Sequence, residues 1–376
     1  MATPFNDVIH AFVAVCDLVS DSVDMIQAGG GNASAKFEKD GQVMMLIKAS
    51  GFLMSEVDAE KGYTQIQLDK VQNILLDVNA GNLSIDDDVA INLRIAEANI
   101  GKFRPSIETF LHAIMTQKYI LHVHALTTLV YASSIKFLDD MANQWTVNAL
   151  GIKTLYVPYE KPGIHLAMAM LNGIDQYKII NGVEPDIIIL QNHGLIVASE
   201  DPDKLLSLIS EIEVAIKAHM DLPKSFGKVY SDQRLIKKAI NDVVKKTRIF
   251  VRANEDRDLI NYREGMPSFP DALVFCGLEP LVIQTVTEEN TRESFNLVID
   301  GVKQYVEKYG DYPKVIQLNA HLFFCGESIK KCLEVQDVLK IQGILRRELG
   351  DTLVTLTQEQ AYTLLNWEAE SYRKNL

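Results

Sequence analysis

The segment YILHVHALTTLV, residues 119–130, constrains this chain more than any other stretch. Its apolar residues predict a buried β-strand, yet it contains His122 and His124. An imidazole is costly to bury unless its nitrogens find partners. Residues two apart on an extended chain point to the same side, so the strand would present two imidazoles to one place.

A histidine pair at this spacing is a common arrangement for zinc, although by itself it fits a structural role equally well. His193 lies in QNHG, a predicted turn between two apolar strands, and supplies a third candidate ligand. Three neutral histidines with an open fourth position are typical of catalytic zinc, whereas structural zinc sites are usually closed and rich in cysteine. The three residues together predict a metal centre with room for a substrate.

Glu108, in PSIETFLH, lies on the first turn of a predicted helix that leads into the histidine strand, and Ser106 is the predicted N-cap. Three roles stay open for its carboxylate. It could stabilise its own helix, pair with Arg104, or act as general acid and base in an apolar pocket beside a metal. His112 shares its helix face and is expected to be a core or supporting residue.

Two loops, GGGNASAK and KASG, bring glycine and small polar residues to the ends of predicted elements. Glycine lets backbone N–H groups approach an anion closely, although the first loop could equally be a helix stop followed by a turn. KASG, residues 48–51, also offers a hydroxyl and a nearby ammonium. With Ser106, the loops predict a phosphate cradle that has no Walker sequence.

Composition narrows the class of protein. The formal net charge of −13 argues against a nucleic-acid backbone as the main partner. The four cysteines form no CxxC pair and predict free thiols in a reducing compartment. The first residues carry no basic region followed by an apolar run, and no apolar stretch approaches the roughly 20 residues that span a bilayer. We therefore expect a cytoplasmic protein with no membrane partner.

The 376 residues are enough for two or three domains. Residues 221–235, DLPKSFGKVYSDQRL, combine proline, glycine and charge and predict a boundary. We expect a first domain over residues 1–225 and a C-terminal α/β domain over residues 226–376.

An internal similarity links the two halves. PDIIILQNHGLIVASEDPDKLL and PKVIQLNAHLFFCGESIKKCLE match without a gap, which aligns His193 with His321. HVHALTTLV matches VFCGLEPLV less securely, with Val274 and Cys276 at the positions of the paired histidines. Two interpretations stay open: a shared local pattern, or a degenerate repeat that has lost those histidines.

The motifs GGGNASAK, KASG, PSIETFLH, HVHA and QNHG occur in the order and approximate spacing of class II aldolase/adducin proteins. The chain resembles that family over about residues 5–220. The family includes zinc-dependent fuculose-phosphate and rhamnulose-phosphate aldolases, ribulose-phosphate 4-epimerases and methylthioribulose-phosphate dehydratases. The C-terminal part resembles the segment after this domain in long bifunctional rhamnulose-phosphate aldolase/dehydrogenase proteins.

The resemblance implies an α/β fold, with a mainly antiparallel sheet flanked by helices and a smaller α/β C-terminal domain. It implies metal ligation by His122, His124 and His193, acid/base catalysis by Glu108, and substrate binding by Asn32, Ser50, Gly51 and Ser106. One departure concerns Ile107, because the small aldolases often have a second serine before the acidic residue. The lost hydroxyl leaves phosphorylation of the substrate open.

We therefore expect an aldolase that uses Zn²⁺ or another divalent metal to cleave a ketose or ketose phosphate through a metal-stabilised enediolate. A sugar-phosphate 4-epimerase or dehydratase with the same zinc site is one alternative, and a metal-free, adducin-like binding protein is another. The expected partner is a small sugar or sugar phosphate. The resemblance also implies a homo-oligomer.

Overall fold

The computed structural model describes residues 5–223, 225–245, 247–256, 259, 265–285 and 292–365. Its strands are β1 Asn32–Lys39, β2 Gln42–Lys48, β3 Tyr63–Gln67, β4 Tyr119–Val123, β5 Leu155–Val157, β6 Ile187–Leu190, β7 Gly194–Ser199, β8 Phe250–Ala253, β9 Leu281–Ile283, β10 Val315–Leu318 and β11 His321–Gly326. Its α-helices are α1 Phe5–Asp17, α2 Leu68–Asn79, α3 Asp88–Ala98, α4 Thr109–Ile114, α5 Leu126–Ala132, α6 Ile135–Ala142, α7 Ile164–Asn181, α8 Asp203–His219, α9 Lys228–Val243, α10 Pro270–Cys276, α11 Arg292–Tyr309, α12 Ile329–Leu349 and α13 Gln358–Leu365.

The chain divides into two compact units, unit 1 over residues 1–227 and unit 2 over residues 228–376. Unit 1 contains a seven-stranded sheet in the order β3-β2-β1-β4-β7-β6-β5. Its neighbouring strands are antiparallel except β5 and β6, which run parallel. The predicted α/β class with a mainly antiparallel sheet is confirmed. Among the described residues, no helix combines the length and the apolar character that crossing a bilayer requires.

The first hairpin follows from its turn residues. Asp40 and Gly41 join β1 to β2, and both have positive φ angles, +52° and +75°. Positive φ at both central residues defines the turn that matches the twist of a two-residue hairpin, and Asp-Gly is among its preferred pairs. The turn fixes the register in which Lys39 pairs with Gln42.

The central strand β4 separates two hydrophobic cores. Leu121 and Val123 belong to the core that also contains residues of α1 and α8. Ile120 belongs to the core on the other face, with residues of α2, α4 and α7. Because side chains alternate along a strand, His122 projects to the same side as Ile120.

Unit 2 contains a four-stranded sheet in the order β8-β11-β10-β9, in which β9 and β10 run parallel and the other pairs are antiparallel. This order and these directions match those of β4-β7-β6-β5 in unit 1. In both units an 18-residue helix, α7 or α11, leads into the hairpin. A repeat would have this connectivity, and the repeat itself stays a prediction.

The two hairpins differ by one residue in the turn. Leu190 pairs with Gly194 in unit 1, whereas Leu318 pairs with His321 in unit 2. His321 therefore occupies the pairing position of Gly194, one residue away from the position that the ungapped match assigns to it.

The weaker part of the internal match is wrong. Val274 and Cys276 lie on α10, which begins with Pro270 at its first turn, and not on a strand. Proline is favoured at that position because its missing N–H would have no partner there and its φ is already helical. By sheet position, the strand that corresponds to β4 is β8.

Two predicted helices differ from the structure in their limits. Helical periodicity over residues 5–27 predicts one helix, but α1 ends at Asp17. The sequence QEQAYTLLNWEAESYRKN, residues 358–375, predicts a second; α13 covers Gln358–Leu365, and residues 366–376 lie outside the described residues.

Truncating a central core residue should reveal the importance of β4. Leu121 is fully buried, so we expect Leu121→Ala to lower the free energy of unfolding by about 2–5 kcal/mol. The control is Ile135→Ala, because Ile135 is 78% exposed and its truncation should change stability by less than about 0.5 kcal/mol. Urea unfolding followed by circular dichroism measures both. Equal effects of the two variants would contradict the core position of Leu121.

Candidate metal and active site

The histidine strand is held on both sides. In the sheet, His122 pairs with Asn32 of β1 and with Ile196 of β7, and its side chain is fully buried. His124 follows the end of β4 and is partly buried. The ring centroids of the two histidines are 5.0 Å apart. The strand therefore delivers two imidazoles to one place at the end of β4.

His193 reaches the same place from the turn between β6 and β7. Because β7 pairs directly with β4, this turn ends beside the histidine pair. The ring centroid of His193 lies 5.0 Å from that of His122 and 5.4 Å from that of His124. Three imidazoles that are distant in sequence thus face one another.

Glu108 completes the group. It occupies the N-cap position of α4, but its carboxylate makes no capping hydrogen bond. Its Oε1 instead lies 3.3 Å from Nε2 of both His122 and His193. The potential ligand atoms of Glu108 and the three histidines lie within 4.8 Å of one another, so the group could hold a metal ion.

The N-cap predicted for this helix is wrong. Ser106 lies two residues before the N-cap, where its hydroxyl accepts a hydrogen bond from the Glu108 N–H at 3.2 Å. The Ser106 carbonyl also accepts from the Thr109 hydroxyl. These contacts form the turn that presents the Glu108 carboxylate to the histidines.

The protonation states suit metal ligation. Nδ1 of His122 lies 3.1 Å from the Leu195 carbonyl, which can only accept, so this nitrogen donates and Nε2 is the nitrogen that could bind an ion. Burial, reinforced by the neighbouring His122 and His193, lowers the pKa of His124 to about 4. Burial would raise the pKa of Glu108, but its interactions with His122 and His193 outweigh this and hold the pKa well below the usual range. At neutral pH His124 is therefore a neutral imidazole and Glu108 an anionic carboxylate.

Two ring nitrogens in this group are buried. Nε2 of His124 has no hydrogen-bond partner within the part of the chain that the structure describes, whereas Nε2 of His122 has the Glu108 carboxylate 3.3 Å away. A buried polar atom without a partner is costly. Nitrogen lone pairs from imidazole, with a carboxylate beside them, are the donor set that zinc accepts, so these residues fit a divalent metal.

His112 lies behind this group, fully buried on α4. Its Nδ1 lies 2.8 Å from the Ser34 hydroxyl, and burial lowers its pKa to about 3. It is not part of the potential metal-binding group. The expectation that it is a core or supporting residue agrees with this position.

Glycine is required where the surrounding backbone approaches the histidines. A Cβ on Gly30 would lie 2.8 Å from Nδ1 of His124. A Cβ on Gly194 would lie 2.4 Å from the Val123 carbonyl oxygen. Contacts this short do not occur for real Cβ atoms, so both close approaches depend on glycine.

A cavity of about 730 Å³ opens beside Glu108. Of the residues predicted to bind substrate, Ser50, Gly51 and Ser106 line it. Asn32 does not, because it is buried in β1 with its Oδ1 accepting from the Ala33 N–H. The residues predicted to bind substrate are therefore only partly brought together.

One wall of the cavity comes from α3, which sequence reasoning missed. Asp88, Ile91 and Asn92 of this helix line the cavity. The local signal was Asp87, whose side chain accepts from the Ala90 N–H as an N-cap. Lys48 of KASG also lines the cavity, although only its proximity to the loop was apparent from the sequence.

The chain matches one protein family over most of unit 1. Residues 10–220, more than half of the chain, match the model of the class II aldolase and adducin N-terminal domain. The uncharacterized oxidoreductase YuxG of Bacillus subtilis (strain 168) is 23% identical over 421 aligned positions. The alignment covers 98% of this chain and 58% of that protein.

Two solved structures are similar to part of the chain. The N-terminal class II aldolase domain of a conserved Thermoplasma acidophilum protein is 24% identical, with a TM-score of 0.45, and the match covers 58% of this chain and 96% of that one. A sugar-phosphate aldolase from Thermotoga maritima is 14% identical, with a TM-score of 0.40, covering 57% of this chain and 94% of that one.

The close approach of Gly30 to His124 gives a test of the site. In Gly30→Ala the new methyl group would displace the His124 ring, so we expect affinity for a divalent ion to fall roughly 10- to 100-fold. Gly29→Ala is the matched control, because no atom lies within 4 Å of its added Cβ. Competition with a chromogenic chelator measures the affinities. Equal affinities in the two variants would contradict this role of Gly30.

Proposed function

Because the chain belongs to the class II aldolase and adducin family, we propose that it is a zinc-dependent aldolase that cleaves a ketose or ketose phosphate. The observation that carries the proposal is the position of Glu108. Its carboxylate lies 3.3 Å from two imidazoles and lines a cavity of about 730 Å³. A carboxylate between a potential metal group and a substrate-sized cavity is suited to acid/base catalysis.

In this proposal His122, His124 and His193 hold the ion. The buried Nε2 of His124 supports the assignment, since ligation would supply the partner that it lacks within the described chain. The hydrogen bond from His122 to the Leu195 carbonyl fixes the ligating nitrogen in advance. A bound divalent ion supplies Lewis acidity toward the carbonyl and neighbouring hydroxyl oxygens of a substrate.

Glu108 handles a proton in this proposal. Cleavage of a ketose into a ketone and an aldehyde releases one hydroxyl proton and adds one proton to a carbon of the ketone fragment. We assign the transfer at that carbon to Glu108, because this residue lines the cavity and its carboxylate also lies among the histidines. In the reverse direction the same carboxylate removes the proton.

Two alternatives have separate tests. A 4-epimerase or dehydratase would use the same residues, and product analysis on a panel of ketose phosphates distinguishes it from an aldolase. A metal-free binding protein would contain no divalent ion after purification. The chain spans 58% of the length of its Bacillus relative, so the activity, substrates, partners and oligomeric state of the whole protein are also proposals.

The metal assignment predicts the effect of removing each ligand. His122→Ala, His124→Ala and His193→Ala should each lower zinc affinity by more than the roughly 10- to 100-fold that loss of a supporting partner costs, with the fold retained. Elemental analysis after dialysis measures the retained zinc. His321→Ala is the control, since that histidine also follows a hairpin turn but lies in unit 2, beside Asp232. Full zinc occupancy in the double variant His122→Ala/His124→Ala would rule out the assignment.

The acid/base assignment predicts a separate effect for Glu108→Gln. The amide has the same shape but cannot take a proton, so turnover should fall roughly 10²- to 10⁴-fold while zinc is retained. Steady-state kinetics with parallel metal analysis measure both quantities. Glu97→Gln, on the exposed side of α3, is the control and should remain close to wild type. Near-normal turnover in Glu108→Gln would place the role elsewhere.

A further inference from the structure

The proposed cleavage leaves one proton without an assigned acceptor. A hydroxyl group of the substrate loses its proton when the aldehyde forms, whereas Glu108 handles the proton at the carbon of the ketone fragment. A second base in the cavity would accept the hydroxyl proton. The titratable side chains that line the cavity are Lys48, Asp88, Arg104, Glu108, Lys161 and His165.

His165 is the member of this set best suited to accept that proton. The ammonium groups of Lys48 and Lys161 and the guanidinium of Arg104 donate hydrogen bonds and accept none. The Asp88 carboxylate is 63% exposed and lies 3.3 Å from Nζ of Lys161. Imidazole accepts and returns a proton near neutral pH more readily than these groups, and the His165 side chain is only 22% exposed.

The segment that carries His165 meets the segment that carries Glu108. His165 is the second residue of α7, whose N-cap is Gly163. A Cβ on Gly163 would lie 3.1 Å from Cγ1 of Ile107, so the backbone before α7 lies against the residue next to Glu108. All four residues line the cavity. The imidazole and the Glu108 carboxylate therefore belong to two segments that contact each other at the cavity wall.

A carboxylate lies beside the imidazole of His165. Oδ1 of Asp86 is 3.4 Å from Nε2 of His165. With Nε2 directed to this acceptor, Nδ1 is the nitrogen left to take a proton from a substrate. The carboxylate would stabilise the imidazolium that forms, as an acidic residue does for the histidine base of a catalytic triad. The Asp86 side chain is 82% exposed, so this stabilisation should be small.

We infer that His165 is a second catalytic base, which takes the hydroxyl proton during cleavage, and that Asp86 is its positioning residue. The inference rests on the proposed function and deepens it, because it assigns the proton transfer that Glu108 does not perform. In the reverse direction, condensation, the His165 imidazolium gives a proton to the aldehyde oxygen.

The atoms and electrons of this step balance. The electron pair of the broken O–H bond forms the aldehyde carbonyl, and the pair of the broken carbon–carbon bond stays on the ketone fragment. His165 gains the hydroxyl proton, Glu108 gives a proton to the carbon, and both groups exchange protons with solvent. One proton leaves the hydroxyl and one joins the carbon, so the step requires no oxidant or reductant.

The test separates the two proton transfers in the zinc-loaded protein. Dihydroxyacetone and dihydroxyacetone phosphate in heavy water exchange a C–H proton for deuterium, which NMR follows, and this exchange requires Glu108 but no second base. Condensation of the same ketones with glycolaldehyde or propionaldehyde requires both groups, because the aldehyde oxygen must also gain a proton. We expect His165→Asn to lower condensation roughly 10²- to 10⁴-fold and to leave exchange within about threefold of wild type.

Matched variants make the result specific. Glu108→Gln should lose both reactions, because condensation begins with the transfer at carbon. His10→Asn makes the same chemical change at an exposed position of α1 and should keep both rates within about twofold of wild type. Asp86→Asn should lower condensation about two- to fivefold and leave exchange unchanged, as expected for a positioning residue with an exposed side chain. His165→Gln decides the question if His165→Asn does not fold.

Failure of this inference can be told apart from failure of the proposed function. Equal loss of exchange and condensation in the His165 variant, or condensation close to wild type, would overturn the inference and leave the role of Glu108 intact. A wild type that exchanges but condenses with neither aldehyde would overturn it as well. If the wild type performs neither reaction or retains no zinc, the proposed function itself fails. Metal analysis on the same samples separates these outcomes.

Discussion

The pairing of β4 with β7 is the interaction on which the candidate site depends. It places the end of the histidine strand beside the turn that carries His193, although the two segments are about seventy residues apart in sequence. The same pairing brings the Leu195 carbonyl to Nδ1 of His122. Backbone hydrogen bonds between strands resist shear, since a slip of one residue would turn His122 to the other face. The register of the sheet therefore fixes where His122 and the turn with His193 meet.

Local patterns predicted much of the framework. Alternation along the histidine strand predicted that His122 and His124 present their imidazoles to one place, and their ring centroids lie 5.0 Å apart. The start of α4 was not predicted correctly. Glu108, and not Ser106, occupies its N-cap position, and the Glu108 carboxylate contacts imidazoles from distant segments. Preferences for capping residues depend on residues that are close in sequence. They therefore do not reflect contacts between distant segments, which form only when the sheet has folded.

The cavity could not be predicted from local sequence patterns either, because its walls come from segments that are distant in sequence. A capped helix such as α3 can be recognised from Asp87, but the sequence does not specify which space its side chains enclose. In unit 2, by contrast, a sequence match predicted a similarity that the structure does not have. Its weaker match assigned a strand to residues that form α10, whereas the order of strands in its sheet follows that of β4-β7-β6-β5 in unit 1. The same strand connectivity can occur without the side chains that a site requires.

The contact between Gly30 and His124 joins the cavity of unit 1 to its histidine group. Gly30 lines the cavity, and its backbone lies against the imidazole that the proposed metal would bind. A Cβ at Gly30 has no room beside the ring, so a ligand that moved this loop toward His124 would also move the imidazole. If the cavity binds a ligand and the histidines bind an ion, the two affinities are then linked. By thermodynamic reciprocity, whatever factor the ligand imposes on the ion is the factor that the ion imposes on the ligand.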